Sequence, residues 1–179
     1  MSRKRKNIII DEAIFAKIAQ GDKEALTSLY IDSYRPVFAL LLSCTHNYHD
    51  AEDLLQETYI KICQAAHLYK PGGNPMAWIM KIARNLCISR YRSESKMHIT
   101  SLENDIVEIP YEYISSLEDR ILIEKLFKEL KKGESEIILL HLLKGFTFKE
   151  ISEIMDKPLG SVLSQYYRGI RKLKKESGI

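Results

Sequence analysis

The chain is short of the residues that staple a fold or span a membrane. Its three cysteines, Cys44, Cys63 and Cys87, form no CxxC pair and leave an odd thiol under any disulfide scheme. That argues against a disulfide framework and favours a reducing cytoplasm. The longest apolar run, Val37 to Leu42, falls far short of the roughly 20 residues that a bilayer crossing requires. The basic start, Met1 to Lys6, is followed only by Ile8–Ile10 before Asp11 and Glu12, too little for a secretory core. A soluble, cytoplasmic chain with no membrane insertion is therefore expected. A large charge excess is missing as well: the net charge is +3, which by itself announces no nucleic-acid binder. No repeat or low-complexity segment appears. The hydrophobic content of 45% is normal for a globular protein, and 179 residues allow one large domain or two small ones.

What the total charge hides, its distribution shows. From Lys157 to Lys175 the charged residues are Lys157, Arg168, Arg171, Lys172, Lys174 and Lys175, with no acid among them. From Glu94 to Asp119 seven acids stand against Lys96 alone. A basic working end and an acidic connector are statements about partners rather than about fold.

Hydrophobic periodicity is helical throughout. Helices are expected over Asp11–Gln20, Asp22–Cys44, Asp50–Leu68, Met76–Arg92, Leu117–Lys131, Glu134–Lys144, Thr147–Met155 and Ser161–Lys175. Pro36 should kink or divide the second of these. Lys70–Pro75 reads as a loop and Asp156–Gly160 as a turn. The weakly periodic acidic stretch is too long for a loop inside one compact domain, so a boundary falls there. The fold class is all-α: two small helical domains, 1–93 and 117–179, joined by an acidic flexible linker at 94–116, the second ending in a helix-turn-helix.

The last forty residues carry the sharpest local signal. Thr147 followed by Glu150 is a capping-box signature. After the turn, Val162, Tyr166, Ile170 and Leu173 make one apolar stripe, opposite Ser161, Ser164, Gln165, Arg168, Arg171 and Lys175. A hydrogen-bonding, cationic face of this kind suits the major groove, and an ordinary hairpin with a solvated basic face is the plainer reading. In the fourth helix Trp78, Lys81, Asn85, Ser89 and Arg92 share a stripe. An aromatic among cations and amides suits unpaired bases, and a core tryptophan beside a solvated face suits the same pattern. The loop before this helix could wall a pocket for an extruded base. On the third helix Asp53, Gln56, Glu57 and Lys61 lie together, which spacing alone reads as a solvated face with an i,i+4 pair. Cys44, His46 and His49 lack a fourth ligand at ordinary spacing, so no metal and no cofactor are expected.

Four stretches in order carry a family resemblance. They are Ile18–Leu26 (IAQGDKEAL), Asp50–Ile62 (DAEDLLQETYIKI), Ala77–Ile88 (AWIMKIARNLCI), and Gly145–Ile154 (GFTFKEISEI) with Pro158–Val162 (PLGSV). Together they resemble bacterial RNA polymerase sigma factors, most nearly the small extracytoplasmic-function group. The resemblance implies that the first domain (sigma region two) docks on the clamp of the polymerase's largest subunit through Asp53, Gln56, Glu57 and Lys61, reversing the reading from spacing. It implies that Lys70, Asn74, Trp78, Lys81, Arg84, Asn85, Ser89 and Arg92 read and open the minus-ten element. The second domain (sigma region four) would sit near the polymerase flap and read the minus-thirty-five element with Lys157, Ser161, Ser164, Gln165, Arg168, Arg171, Lys172 and Lys175. Implied partners are core polymerase, promoter DNA and an anti-sigma protein, with no small-molecule substrate and no catalysis by this chain.

Departures from the family pattern matter too. The family usually has Trp near Cys63, Asp near Ser89, and Lys-Ser-Arg where this chain has Leu163-Ser164-Gln165. Two rivals stay open: a sigma-like polymerase-binding regulator with weakened promoter reading, and a free-standing helix-turn-helix regulator. Losing two cations should flatten salt dependence, while a glutamine can pair bidentately with adenine. An A-rich upstream element follows. Gln165→Arg should change which upstream bases matter in a promoter-mutation scan, and an unchanged preference would remove Gln165 from base reading.

Overall fold

The structure is a computed structural model describing residues 10–96 and 130–176. The basic start, the linker beyond residue 96 and the helix expected from Leu117 to residue 129 lie outside the described residues. Within them are seven α-helices, one 3-10 turn and no strand. The first five are α1 (Ala13–Ala19), α2 (Lys23–Thr45), α3 (Tyr48–Ala65), α4 (Pro75–Lys96) and α5 (Lys132–Lys144). Two more follow, α6 (Phe148–Met155) and α7 (Leu159–Glu176).

Short polar side chains set the helix starts by satisfying amides that have no partner within the helix. Asp22 accepts from the Glu24 and Ala25 amides at 2.9 and 3.0 Å. Asn47 accepts from the Asp50 amide, so α3 begins two residues before Asp50. Thr147 and Glu150 close the expected capping box, at 3.2 Å from the Glu150 amide to Thr147 Oγ1 and 2.8 Å from the Thr147 amide to Glu150 Oε2.

Several expected boundaries are corrected. Pro36 does not divide α2, which runs unbroken through it. A proline inside a helix costs about 3 kcal/mol, and the burial of Pro36 with the apolar residues after it offsets that cost. Helix α4 continues to Lys96, three residues into the expected linker. Lys131 is extended rather than helical, and α5 starts at Lys132. Gly160 does not break α7. The amides of Ser161 and Val162 already bond to the Pro158 carbonyl, so the helix winds from the proline onward.

In the first domain α2 packs against α3 and α4, with α1 across α2. In the second, α7 packs against α5 and α6. The two domains are also docked on one another, α5 against α2 and α6 against α4. The sequence supplies the reason. Val37 to Leu42 are six consecutive apolar residues, none more than 5% exposed, and Ile137 to Leu140 are at most 1% exposed. A helix apolar all round needs cover on every side, and one neighbour covers only one stripe.

Polar groups fix the docking. Arg84 of α4, 8% exposed, donates from Nε to Glu136 Oε2 at 2.9 Å and from Nη1 to the Met155 carbonyl at 3.1 Å. Asn74 Nδ2 donates to Glu150 Oε1 at 2.6 Å. Lys132 meets both the ring and the hydroxyl of Tyr91. Arg84→Ala strands Glu136 in a buried site, a change that typically costs about 3–5 kcal/mol. The domains should then part, and X-ray scattering should report a radius of gyration well above the about 16 Å of a compact chain of this length. An unchanged scattering curve would show that the apolar faces hold the docking alone.

Candidate nucleic-acid and polymerase interface

Helix α7 is presented by a tight turn. Asp156 ends α6 in a left-handed conformation, φ 50° and ψ 50°. The Lys157 amide donates to the Ser152 carbonyl, and Ser152 Oγ donates to the Lys157 carbonyl at 2.8 Å. Val162 is buried, with Tyr166, Ile170 and Leu173 half-buried along the same side. Ser161, Ser164, Arg171 and Lys175 are exposed, as their stripe required.

The rest of the expected DNA-reading set turns toward α5. Gln165 is half-buried, accepting from Lys157 Nζ at 3.3 Å and donating from Nε2 to the Ser161 carbonyl at 3.2 Å. Burial pushes the Lys157 ammonium down from its ordinary value. Arg168 Nε and Lys172 Nζ both donate to the buried Glu134 carboxylate. The outer stripe instead gains a residue that reading the sequence missed: Tyr167, 57% exposed. Its signal was available, because Ser164, Tyr167 and Arg171 follow i, i+3, i+7 spacing.

On α4 the expected stripe splits in a similar way. Lys81, Asn85, Ser89 and Arg92 are exposed, as is Lys70 in the preceding loop. Gly72, at φ +93°, donates its amide to Glu12 Oε2 at 2.8 Å, which ties that loop to the residue before α1. Trp78 is half-buried, edge-on to Phe15 and Tyr69 with ring centroids 5.0 and 5.4 Å away. The core reading of this tryptophan therefore applies to its ring packing. Asn74 caps α4 by accepting from the Met76 and Ala77 amides, and Arg84 is buried in the domain junction. Arg84 is thereby closed to an incoming strand in this packing, while Asn74 stays exposed with its amide nitrogen bonded to Glu150.

On α3 the side chains of Asp53, Gln56, Glu57 and Lys61 are all exposed together. Arg90 of α4, unnoticed in the sequence, reaches over this face. Its Nη2 lies 2.7 Å from Glu57 and its Nη1 4.0 Å from Asp53 and 3.6 Å from Asp50. Such surface pairs contribute at most about 1 kcal/mol each, so they orient the face without closing it. Ile60, 59% exposed, sits on the same helix between the polar residues. Among the described residues no group of three His, Cys, Asp or Glu side chains is placed to hold a metal. Cys44 of the suspected cluster is buried beside Cys87.

Trp78→Ala should cost the first domain about 2 kcal/mol in denaturant unfolding, below the roughly 3–5 kcal/mol of a fully buried ring. Trp78→Phe should recover most of that loss. Equal stability of all three chains would take the ring out of the Phe15–Tyr69 cluster.

Comparison with known proteins follows this division. The model described as Sigma-70 region 2 matches residues 29–97, and that described as Sigma-70, region 4 matches residues 120–173. The chain is 25% identical over 174 residues to the ECF RNA polymerase sigma factor SigW of Bacillus subtilis, covering 89% of this chain and 92% of that protein. It is 24% identical over 170 residues to the ECF RNA polymerase sigma factor SigK of a Mycobacterium species, covering 91% and 88%. The fold is shared with the sigma factor RpoE of Bartonella quintana, solved in complex with the anti-sigma factor NepR. That likeness has a TM-score of 0.68, 21% identity and coverage of 86% of this chain and 96% of the other. CnrH, solved with the cytosolic domain of CnrY, is similar in fold with a TM-score of 0.66, 18% identity and coverage of 94% and 97%.

Proposed function

This chain belongs to the extracytoplasmic-function group of RNA polymerase sigma factors, and we propose how its two domains divide the work. It is a promoter-specificity factor: it binds core polymerase and directs initiation at chosen promoters. The observation that carries this reading is the order of the two Sigma-70 matches along the chain, each falling on a helical domain with an exposed polar face. The α3 face of Asp53, Gln56, Glu57 and Lys61 meets the polymerase clamp. The exposed α4 stripe of Lys81, Asn85, Ser89 and Arg92 meets the opened minus-ten strand. Helix α7 enters the major groove of the minus-thirty-five element with Ser161, Ser164, Tyr167, Arg171 and Lys175 outermost. The chain supplies recognition and positioning, and the polymerase supplies the chemistry.

The closed packing adds a step. Helix α6 lies over α4, holds the exposed Asn74 and helps bury Arg84, so the domains must part for Arg84 to reach DNA. Core polymerase would separate them by seating one on the clamp and the other near the flap. An anti-sigma protein, of the kind bound to the Bartonella sigma factor, would act on the same faces. A second reading, a polymerase-binding regulator with weakened promoter reading, draws support from Gln165 lying against Gly133 of α5 and from Arg168 and Lys172 being paired with Glu134.

The test is transcription from fragmented genomic DNA of the source organism by sigma-free core polymerase with and without the chain. Discrete starts that require the chain, sharing spaced upstream motifs, are expected. Stable co-elution with core but no starts would favour the weakened regulator. Absence of both would sink the proposal.

A further inference from the structure

A carboxylate inside a helical domain is costly unless several donors meet it. Glu134, at the start of α5, is 2% exposed and has three. Arg168 Nε approaches Oε1 at 2.5 Å, Lys172 Nζ approaches Oε2 at 2.7 Å, and the Lys131 amide approaches Oε2 at 3.3 Å. Burial pushes this carboxyl up, but the hydrogen bonds from Lys172, Arg168 and Lys131 outweigh it and leave the group below its ordinary value.

Arg168 and Lys172 are four residues apart on α7, so one anion can bridge them. Their side chains remain 55% and 38% exposed, which places the pair at the rim of the DNA-facing surface rather than inside the core. Gly169 lies between them. A Cβ there would come within 2.7 Å of Ile138 and 3.5 Å of Glu134, so the missing side chain lets α7 approach α5 closely enough for the bridge. What Arg168 and Lys172 receive from Glu134 is what a phosphate would offer: two anionic oxygens at hydrogen-bond distance.

We propose that Glu134 is a positioning residue that stands in for a DNA phosphate, holding Arg168 and Lys172 on the inner edge of α7. This rests on α7 being the promoter-reading helix. Bound in this way, the two cations fix the tilt of α7 against α5 and are withheld from the DNA backbone. Promoter affinity then depends less on sequence-independent charge and more on the outer stripe that faces base edges. Remove the negative charge and the cations become available to phosphate.

The test is binding of holoenzyme, reconstituted from full chain and core polymerase, to duplex DNA over a range of salt concentrations. Two labelled duplexes are used: a fragment recovered by the transcription mapping, or any genomic fragment failing that, and one of arbitrary sequence. Each phosphate newly neutralised steepens the slope of log K against log salt by about 0.9. Glu134→Gln, which keeps an acceptor for the Lys131 amide, should steepen it by roughly one to two on both duplexes and narrow the preference for the promoter. Lys172→Met in the Glu134→Gln chain should take back about half of that gain. A weaker Glu134→Gln holoenzyme with an unaltered slope would show that Glu134 only braces the domain, and would overturn the proposal.

A second comparison avoids any folding penalty at Glu134. In the otherwise native chain Lys172→Met should remove less slope than Arg171→Met, because Lys172 is already paired with Glu134 while Arg171 lies on the exposed stripe. Equal losses would overturn the proposal. If native holoenzyme fails to prefer a mapped promoter over arbitrary duplex, or no promoter can be mapped, the reading of α7 as promoter-specific fails, and the slopes on arbitrary duplex still decide the role of Glu134.

Discussion

A helix with six consecutive buried apolar residues cannot be satisfied by one neighbour, and the Val37–Leu42 segment of α2 imposes that demand on everything around it. Helices α3 and α4 cover part of its circumference, and α5 covers another part with its own four-residue apolar run, Ile137–Leu140. Neither run has an alternating polar face that could be left in water. Burial of one such side chain contributes about 1.5–3 kcal/mol, so matched runs of this length dominate the energetics of the junction. The position of α6 over α4 follows from that docking, since α6 joins α5 through a short connection.

Polar chemistry decides how specific that docking is. Apolar faces alone would permit sliding, whereas the Arg84 guanidinium needs both the Glu136 carboxylate and the Met155 carbonyl in place. The bridge from Asn74 to Glu150 adds a second fixed point, between the cap of α4 and the capping box of α6. Of these, Asn74 and Arg84 come from the segment that the family resemblance assigns to strand opening. One set of atoms cannot make both kinds of contact at once. On the proposed division of work, promoter binding needs a different packing of the same two domains, and stability of the closed packing opposes it.

The basic end of the chain is likewise less available than its composition suggests. Six cations and no acid lie between Lys157 and Lys175, yet Arg168 and Lys172 share Glu134, and Lys157 donates to Gln165. The outer face of α7 keeps serines, a tyrosine and a smaller number of cations.

Consecutive residues were enough to place the described helices, to give their starts to within two residues, to show most of their apolar faces and to carry the family resemblance. Thr147 with Glu150, and the spacing of Lys81, Asn85, Ser89 and Arg92, are local facts carried by consecutive residues. What stands opposite each face was set by packing. Whether Trp78 is open to bases or packs edge-on against Phe15 and Tyr69, whether Arg84 faces solvent or Glu136, and which edge of α7 meets Glu134 all turn on partners far away in the chain. Arg84 and Glu136 are 52 positions apart, and Arg168 and Glu134 are 34 apart. Helical periodicity fixes an angle around one axis, and it holds no information about which neighbour will occupy that direction. The all-round apolar runs of α2 and α5 were visible as composition, but their mutual cover appears only when both helices are placed together.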